Sequence, residues 1–157
     1  MSRVVVVGVG NAFRRDDGVG LAVADALTAR VPDGVDVVEC EQEPTRLIDA
    51  WDGAAVAIVV DAAASGAAAG TVHRFDASSS PIPAGVFRSS THAFGVGDAV
   101  EIGRALEQLP PRVVVYGVEG GEFGAGEGLT APVREAVDRV VEAVLRDLEE
   151  AACTNGR

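Results

Sequence analysis

The sequence predicts a three-layer α/β/α sandwich: a twisted, mostly parallel five-stranded sheet with helices on both faces. Three observations carry this. Strand-like and helix-like segments alternate along the chain. Strands such as VVVV at 4–7 and AVAIVV at 55–60 are unbroken apolar runs, as strands covered on both faces must be. The core must also be aliphatic, since 48% of residues are hydrophobic but only 4% aromatic. The 157 residues suit one domain. It is placed at 1–150, with 151–157 expected as a frayed C-terminal tail.

Each element has a local reason. Val4 to Val7 ends in a glycine-rich turn. Gly18 to Ala29 has Val19, Ala22, Val23 and Leu27 near helical spacing, and VPDG breaks it. Val35 to Glu39 reads as a strand and Thr45 to Trp51 as a short helix. Ala55 to Val60 is the third strand, with Asp61 at its end. Thr71 to Phe75 alternates like a half-exposed strand. Residues 94–109 form a helix with Val96, Val100, Leu106 and Leu109 on one side, stopped by the prolines that follow. Val113 to Tyr116 is another buried strand. The last helix follows a glycine loop, with Thr130 as its cap, Pro132 in its first turn and a valine–leucine stripe from Val133 to Leu148.

Composition excludes several function classes. The net charge of −11 lacks the basic footprint of nucleic-acid binding and disfavours an anionic membrane surface. No apolar run spans a bilayer, and MSR leads directly into the first strand with no signal peptide. The expectation is a soluble cytoplasmic protein, for which a monomer is plausible. Cys40 and Cys153 form neither a CxxC pair nor a disulfide framework.

In an open α/β sheet, ligands gather beyond the carboxyl ends of the strands. Asn11, Asp16 and Asp17 follow the first strand; Glu39, Glu41 and Glu43 the second; Asp61 the third. Ser90, Thr91 and His92 precede a helix, and Glu119 follows the strand begun by Val113. Three readings compete for the first of these turns. Gly8 and Gly10 supply G-x-G for a dinucleotide, but Phe13 holds the third glycine position, and two carboxylates would repel a pyrophosphate from a helix N-terminus. Asp16 alternatively caps the helix that follows Gly18. Lastly, Asp17, Asp61 and His92 offer two carboxylates and one imidazole, a donor set for nickel or zinc that leaves positions open for substrate or water. Asn11 is expected to fix the turn by side-chain bonds to backbone. His73 is given no role. Cys40, beside Glu39 and Glu41, is a poor nucleophile.

The motifs also carry a resemblance. GVGNAFRRDDGVG resembles the N-terminal signature of the NiFe-hydrogenase maturation endopeptidases, GxGN followed by D-(D/E)-x-x-G. VVDAAASG at 59–66, STHAFGVGDAV at 90–100 and YGVEGGEFGAGEGLTAPV at 116–133 resemble the family's remaining blocks, in order, across nearly the whole chain. The chain departs from the pattern at CEQEPTRL, 40–47, where many relatives carry a glycine-threonine turn. It departs again at Gly120 and Gly121, where a proline is common.

The resemblance implies an endopeptidase that removes a C-terminal extension from the large-subunit precursor of a NiFe hydrogenase after nickel insertion. It implies that Asp17, Asp61 and His92 are the metal-binding and catalytic residues. They recognise nickel brought by the precursor, so no permanently bound cofactor is expected. Glu41, Glu43 and Glu119 are candidates to line the substrate groove. Gly8, Gly10, Asn11, Asp16 and Gly18 are the expected turn and cap residues. Two rivals remain: a non-enzymatic nickel-binding or docking module with the same ligands, and a nucleotide-dependent oxidoreductase.

Overall fold

Side chains alternate between two cores on opposite faces of one sheet. Val5, Val7 and Val9 enter one core with Ala57, Val59, Val113 and Val115. Val6 enters the other with Ile58, Val60, Val114 and Tyr116. That period of two is what a pleated strand imposes. The computed structural model describes residues 3–41, 43–87 and 95–155.

The strands are β1 (Arg3–Val9), β2 (Val35–Cys40), β3 (Ala54–Ala63), β4 (Val72–Asp76) and β5 (Arg112–Glu119). The helices are α1 (Val19–Thr28), α2 (Pro44–Trp51), α3 (Val96–Ala105) and α4 (Ala131–Asn155). The sheet order is β2-β1-β3-β5-β4. β1, β2, β3 and β5 run parallel, and β4 lies antiparallel on β5 at the edge. α1 and α4 cover one face through Val19, Val23, Leu27, Val140 and Val144. α2 and α3 cover the other through Leu47, Trp51, Val96 and Val100. The three-layer α/β/α expectation is met.

The order places the site. From β1 the chain crosses to β2 on one side; from β3 it proceeds to the strands on the other. The carboxyl ends of β1 and β3 therefore diverge, and the crevice between them is where open α/β sheets bind ligands.

Several boundaries differ from expectation. A 3-10 turn, Arg15–Gly18, precedes α1, so the helix starts at Val19. β3 continues two residues past Asp61 to Ala63. α3 stops at Ala105 because the chain turns at Glu107, whose φ is +57°; Leu106 is consequently 59% exposed instead of joining the stripe. α4 continues to Asn155 through most of the segment expected to fray, because Ala151 is buried against the core.

α1 lies unusually close to the sheet. A Cβ on Gly20 would come within 2.3 Å of the Val9 carbonyl and 2.4 Å of the Val60 carbonyl, and one on Gly8 within 2.3 Å of the Gly20 carbonyl. Gly20 therefore permits the helix–strand approach that the third glycine of a dinucleotide motif serves, but seven residues beyond Phe13.

Candidate active site

The loop after β1 folds back on itself. The Asn11 side-chain carbonyl accepts the Phe13 N–H at 2.9 Å, the Asx-type bond that such a turn invites. The Asn11 N–H reaches the Asp17 carbonyl at 3.3 Å, and the Asp17 N–H reaches the Arg14 carbonyl at 3.1 Å. A Cβ on Gly10 would sit 2.1 Å from the Asp17 carbonyl, and one on Gly18 would sit 3.1 Å from the Ala12 Cα. Gly10 is thus demanded by close backbone approach, while at Gly18 a Cβ would need the neighbouring backbone to give by a few tenths of an ångström. The outcome is that Asp17 is carried on the 3-10 turn, 2% exposed, and that turn packs against β3.

Asp61 lies on β3, one residue past the last β1–β3 partner pair, Gly8–Val60. It is fully buried, and its Oδ1 accepts the Ala62 N–H at 2.8 Å. By the alternation of β3 it belongs to the sheet face covered by α2 and α3, the helix that follows the His92 segment. His92 itself, with Ser90 and Thr91, lies outside the described residues. Among the described residues no group of three or more His, Cys, Asp or Glu side chains is arranged to hold a metal ion.

Asp16 overturns an expectation. Its side chain caps neither the 3-10 turn nor α1. Instead it is fully buried and receives the N–H groups of Gly121 (2.8 Å), Glu122 (3.0 Å) and Thr130 (2.8 Å), together with the Thr130 hydroxyl. The reason is electrostatic: the β5–α4 loop presents a row of donors that only a carboxylate can accept together. Burial pushes the Asp16 carboxyl up, but these bonds outweigh it and hold it below its ordinary value. The Thr130 hydroxyl, expected at the start of the last helix, is thereby turned toward Asp16.

Glu119 is likewise corrected. It is 1% exposed and does not line the groove. Its carboxylate accepts the Ser65 N–H at 3.0 Å, accepts the Ser65 hydroxyl, and faces His73 Nε2 at 3.0 Å. Burial raises its pKa, but the hydrogen bonds from Ser65 and His73 prevail and lower it. His73, given no role from its strand pattern, is therefore a partner of a buried carboxylate. The contact is made by the antiparallel edge pairing, which sets His73 opposite Gly117 and which no local sequence pattern announces.

A cavity of about 460 Å³ opens at the ends of β1 and β2, lined by Asn11, Phe13, Glu39, Cys40, Glu41 and Arg46 among others. Phe13 is 67% exposed on its rim. Glu41 reaches this cavity. Glu43 instead accepts from the Thr45 hydroxyl and pairs with Arg46 at 3.3 Å. Cys40 is buried and donates its thiol to the Glu41 carbonyl at 3.2 Å. Burial raises its pKa, Glu43, Glu41 and Asp61 raise it further, and Arg46 opposes them, so a thiolate nucleophile is disfavoured.

This is an α/β sandwich with buried carboxylates on the turn after β1 and near the carboxyl end of β3. Residues 21–147 match the HycI family of hydrogenase maturation proteases. The chain belongs to the hydrogenase maturation protease family, a family of peptidases. The hydrogenase 2 maturation protease of Escherichia coli K12 is 27% identical over 154 residues, covering 95% of this chain and 92% of that one. The hydrogenase maturating endopeptidase HybD of E. coli superimposes with a TM-score of 0.80 at 25% identity, over 95% of this chain and 93% of that one. HycI, a NiFe-hydrogenase maturation protease of Thermococcus kodakarensis KOD1, gives 0.72 at 25% identity, over 94% and 93%. Membership of a peptidase family displaces both the oxidoreductase and the non-enzymatic docking module. Among the described residues no helix is long and apolar enough to cross a membrane.

Proposed function

We propose that this peptidase removes the C-terminal extension of a nickel-loaded NiFe-hydrogenase large-subunit precursor, and that Asp17, Asp61 and His92 contact the nickel the precursor carries. One observation carries the reading: in a chain of this family, two carboxylates, 2% and 0% exposed, stand on the 3-10 turn that follows β1 and near the carboxyl end of the adjacent parallel strand β3, against which that turn packs. Such strand-end crevices are where open α/β sheets gather ligands, and carboxylate oxygens with an imidazole suit a borderline divalent cation. Nickel is part of the substrate here, so the empty protein needs no resident metal.

Cleavage then follows from position. The precursor's tail lies across the rim, past Phe13 and Glu41. Nickel held by the two carboxylates and the imidazole fixes the scissile peptide. Asp17 or Asp61 takes the proton of the attacking water as general base. A backbone N–H or the substrate's nickel stabilises the oxyanion. The requirement for nickel restricts cleavage to precursors that have received their metal.

The test is intact-mass analysis of the large-subunit precursor, with and without nickel, after incubation with the full chain. Loss of a C-terminal peptide from the nickel-loaded form alone is expected. Asp17→Asn, Asp61→Asn and His92→Ala should abolish it. Undiminished cleavage by Asp17→Asn and His92→Ala would refute the assignment, and binding of loaded precursor without any cleavage would restore the docking-module reading.

A further inference from the structure

We propose that Asp16 is a positioning residue, a buried carboxylate that clamps the β5–α4 loop onto the β1–α1 loop and so sets where its neighbour Asp17 stands. The inference rests on the endopeptidase reading above and deepens it.

The geometry is specific. Asp16 Oδ2 accepts from Gly121 N and Glu122 N at 2.8 and 3.0 Å, and Oδ1 accepts from Thr130 N at 2.8 Å. The Thr130 hydroxyl completes the set, 2.8 Å from Oδ2. The two backbones are also joined directly. The Asp16 N–H donates to the Glu122 carbonyl at 2.9 Å, Arg15 N–H to Gly126 at 3.0 Å, and Gly126 N–H to Phe13 at 2.9 Å. One loop thus surrounds one carboxylate with donors, and the carboxylate is fully buried.

The same loop is tied at its other end to β3. Gly120 N–H donates to the Ala63 carbonyl at 3.0 Å, two residues beyond Asp61. Just before it, Glu119 holds Ser65 and His73. The segment 119–122 therefore spans from the strand that carries Asp61 to the turn that carries Asp17. It references the two carboxylates to each other. Asp17 is one peptide unit from the clamp, within a tight 3-10 turn, so a rotation of Asp16 is passed to Asp17 nearly undamped.

The chemistry requires a carboxylate. Backbone N–H groups, which can only donate, face both carboxylate oxygens, so whichever way an asparagine is turned its amide hydrogens meet at least one N–H; only the Thr130 hydroxyl could accept from it. The turn must then shift to separate them. A displacement of about 1 Å at a catalytic group can cost about 100-fold in rate.

The experiment measures kcat and KM for cleavage of nickel-loaded large-subunit precursor by the full chain and four variants. Asp16→Asn is expected to lower kcat by about 100-fold with KM little changed. Thr130→Val, which deletes one donor, should give a smaller kcat loss. Thr130→Ser, which keeps the hydroxyl, should restore wild-type kcat. Val144→Ala in α4 is the control, because it opens the buried core and lowers Tm without touching the clamp. It should leave kcat unchanged. Wild-type kcat in Asp16→Asn overturns the proposal, as does a kcat loss in Val144→Ala that matches its loss of Tm. Should Asp16→Asn fail to fold, wild-type kcat in Thr130→Val overturns it equally. Failure of the unmodified chain to cleave any nickel-loaded precursor refutes the endopeptidase reading itself, and the positioning role with it.

Discussion

Gly20 gives the sharpest test of how the site is held. It lies inside α1, where alanine is intrinsically favoured over glycine by about 1 kcal/mol. Yet its added Cβ would meet the Val9 and Val60 carbonyl oxygens at 2.3 and 2.4 Å, where ordinary contact begins at 3.4 Å. Both are backbone atoms of central strands, so α1 must retreat by about 1 Å. That loosens Val19, Val23 and Leu27, all fully buried, and a gap of this size forfeits about a quarter to a half of each contact. Overpacking of this kind costs about 3 kcal/mol at its upper range. Set against the propensity gain, Gly20→Ala should lose about 2 kcal/mol, or about 4–8 °C in Tm. Gly97 in α3 is the matched control, with nothing within 4 Å of its added Cβ; Gly97→Ala should gain about 0.5 kcal/mol. Urea unfolding followed by Trp51, the single tryptophan and fully buried, reads both. Equal, stabilising shifts in the two variants would refute the close-approach argument. Gly8→Ala meets the same interface from the strand side, so its loss should be less than additive with that of Gly20→Ala.

Two pH predictions follow from the buried networks. Tyr116, the single tyrosine, donates its hydroxyl to Asp147 beside Arg74, and burial followed by that bond pushes its pKa up to about 12. A 295 nm titration of the folded chain should show no phenolate step near pH 10. Because the folded state keeps this proton longer than the unfolded one, stability should fall as pH rises from about 10 toward 12, by about 1.4 kcal/mol per unit; a step at pH 10 in the folded protein would contradict the network. At the acid end, Asp16 and Glu119 are both lowered in the folded state. Their contribution is present above the ordinary carboxylate values and is lost as pH falls through the lowered folded ones. Urea unfolding from pH 6 downward should show this loss, with a shallower decline in Asp16→Asn, and parallel profiles would count against the clamp.

The elements were legible because the strands are long apolar runs and the last helix carries a strict stripe. Their ends were less so, for identifiable reasons. Nothing local marks Glu107 for a left-handed turn, so α3 read four residues too long. β3 hid its extension because Asp61 breaks the apolar run while remaining within the ladder, paired with Gly117. The carboxylates were legible as unusual groups but their partners were not. Asp16 in sequence is indistinguishable from a helix cap, since its partners at 121, 122 and 130 lie more than a hundred residues away and are mostly backbone N–H groups, which no side-chain pattern reveals. Glu119 similarly read as a rim acid because its partners Ser65 and His73 are brought to it only by the β3–β5–β4 order.

Asp16 and Glu119 are stabilised as carboxylates by donors supplied from within the chain, which outweigh burial and hold both below the ordinary carboxylate range. Both hold the ends of segment 119–122. Asp17 and Asp61 stand on the two elements that this segment joins, at the divergence of β1 and β3. The partner-supplied metal site proposed above has the same requirement as any preorganised site: ligands fixed before the metal arrives, because ordering them afterwards would subtract from binding. The adjacent aspartates of DDGVG accordingly divide the work: the first is bound inward by four donors, and on the function proposed above that bond fixes the second where it meets the precursor's nickel.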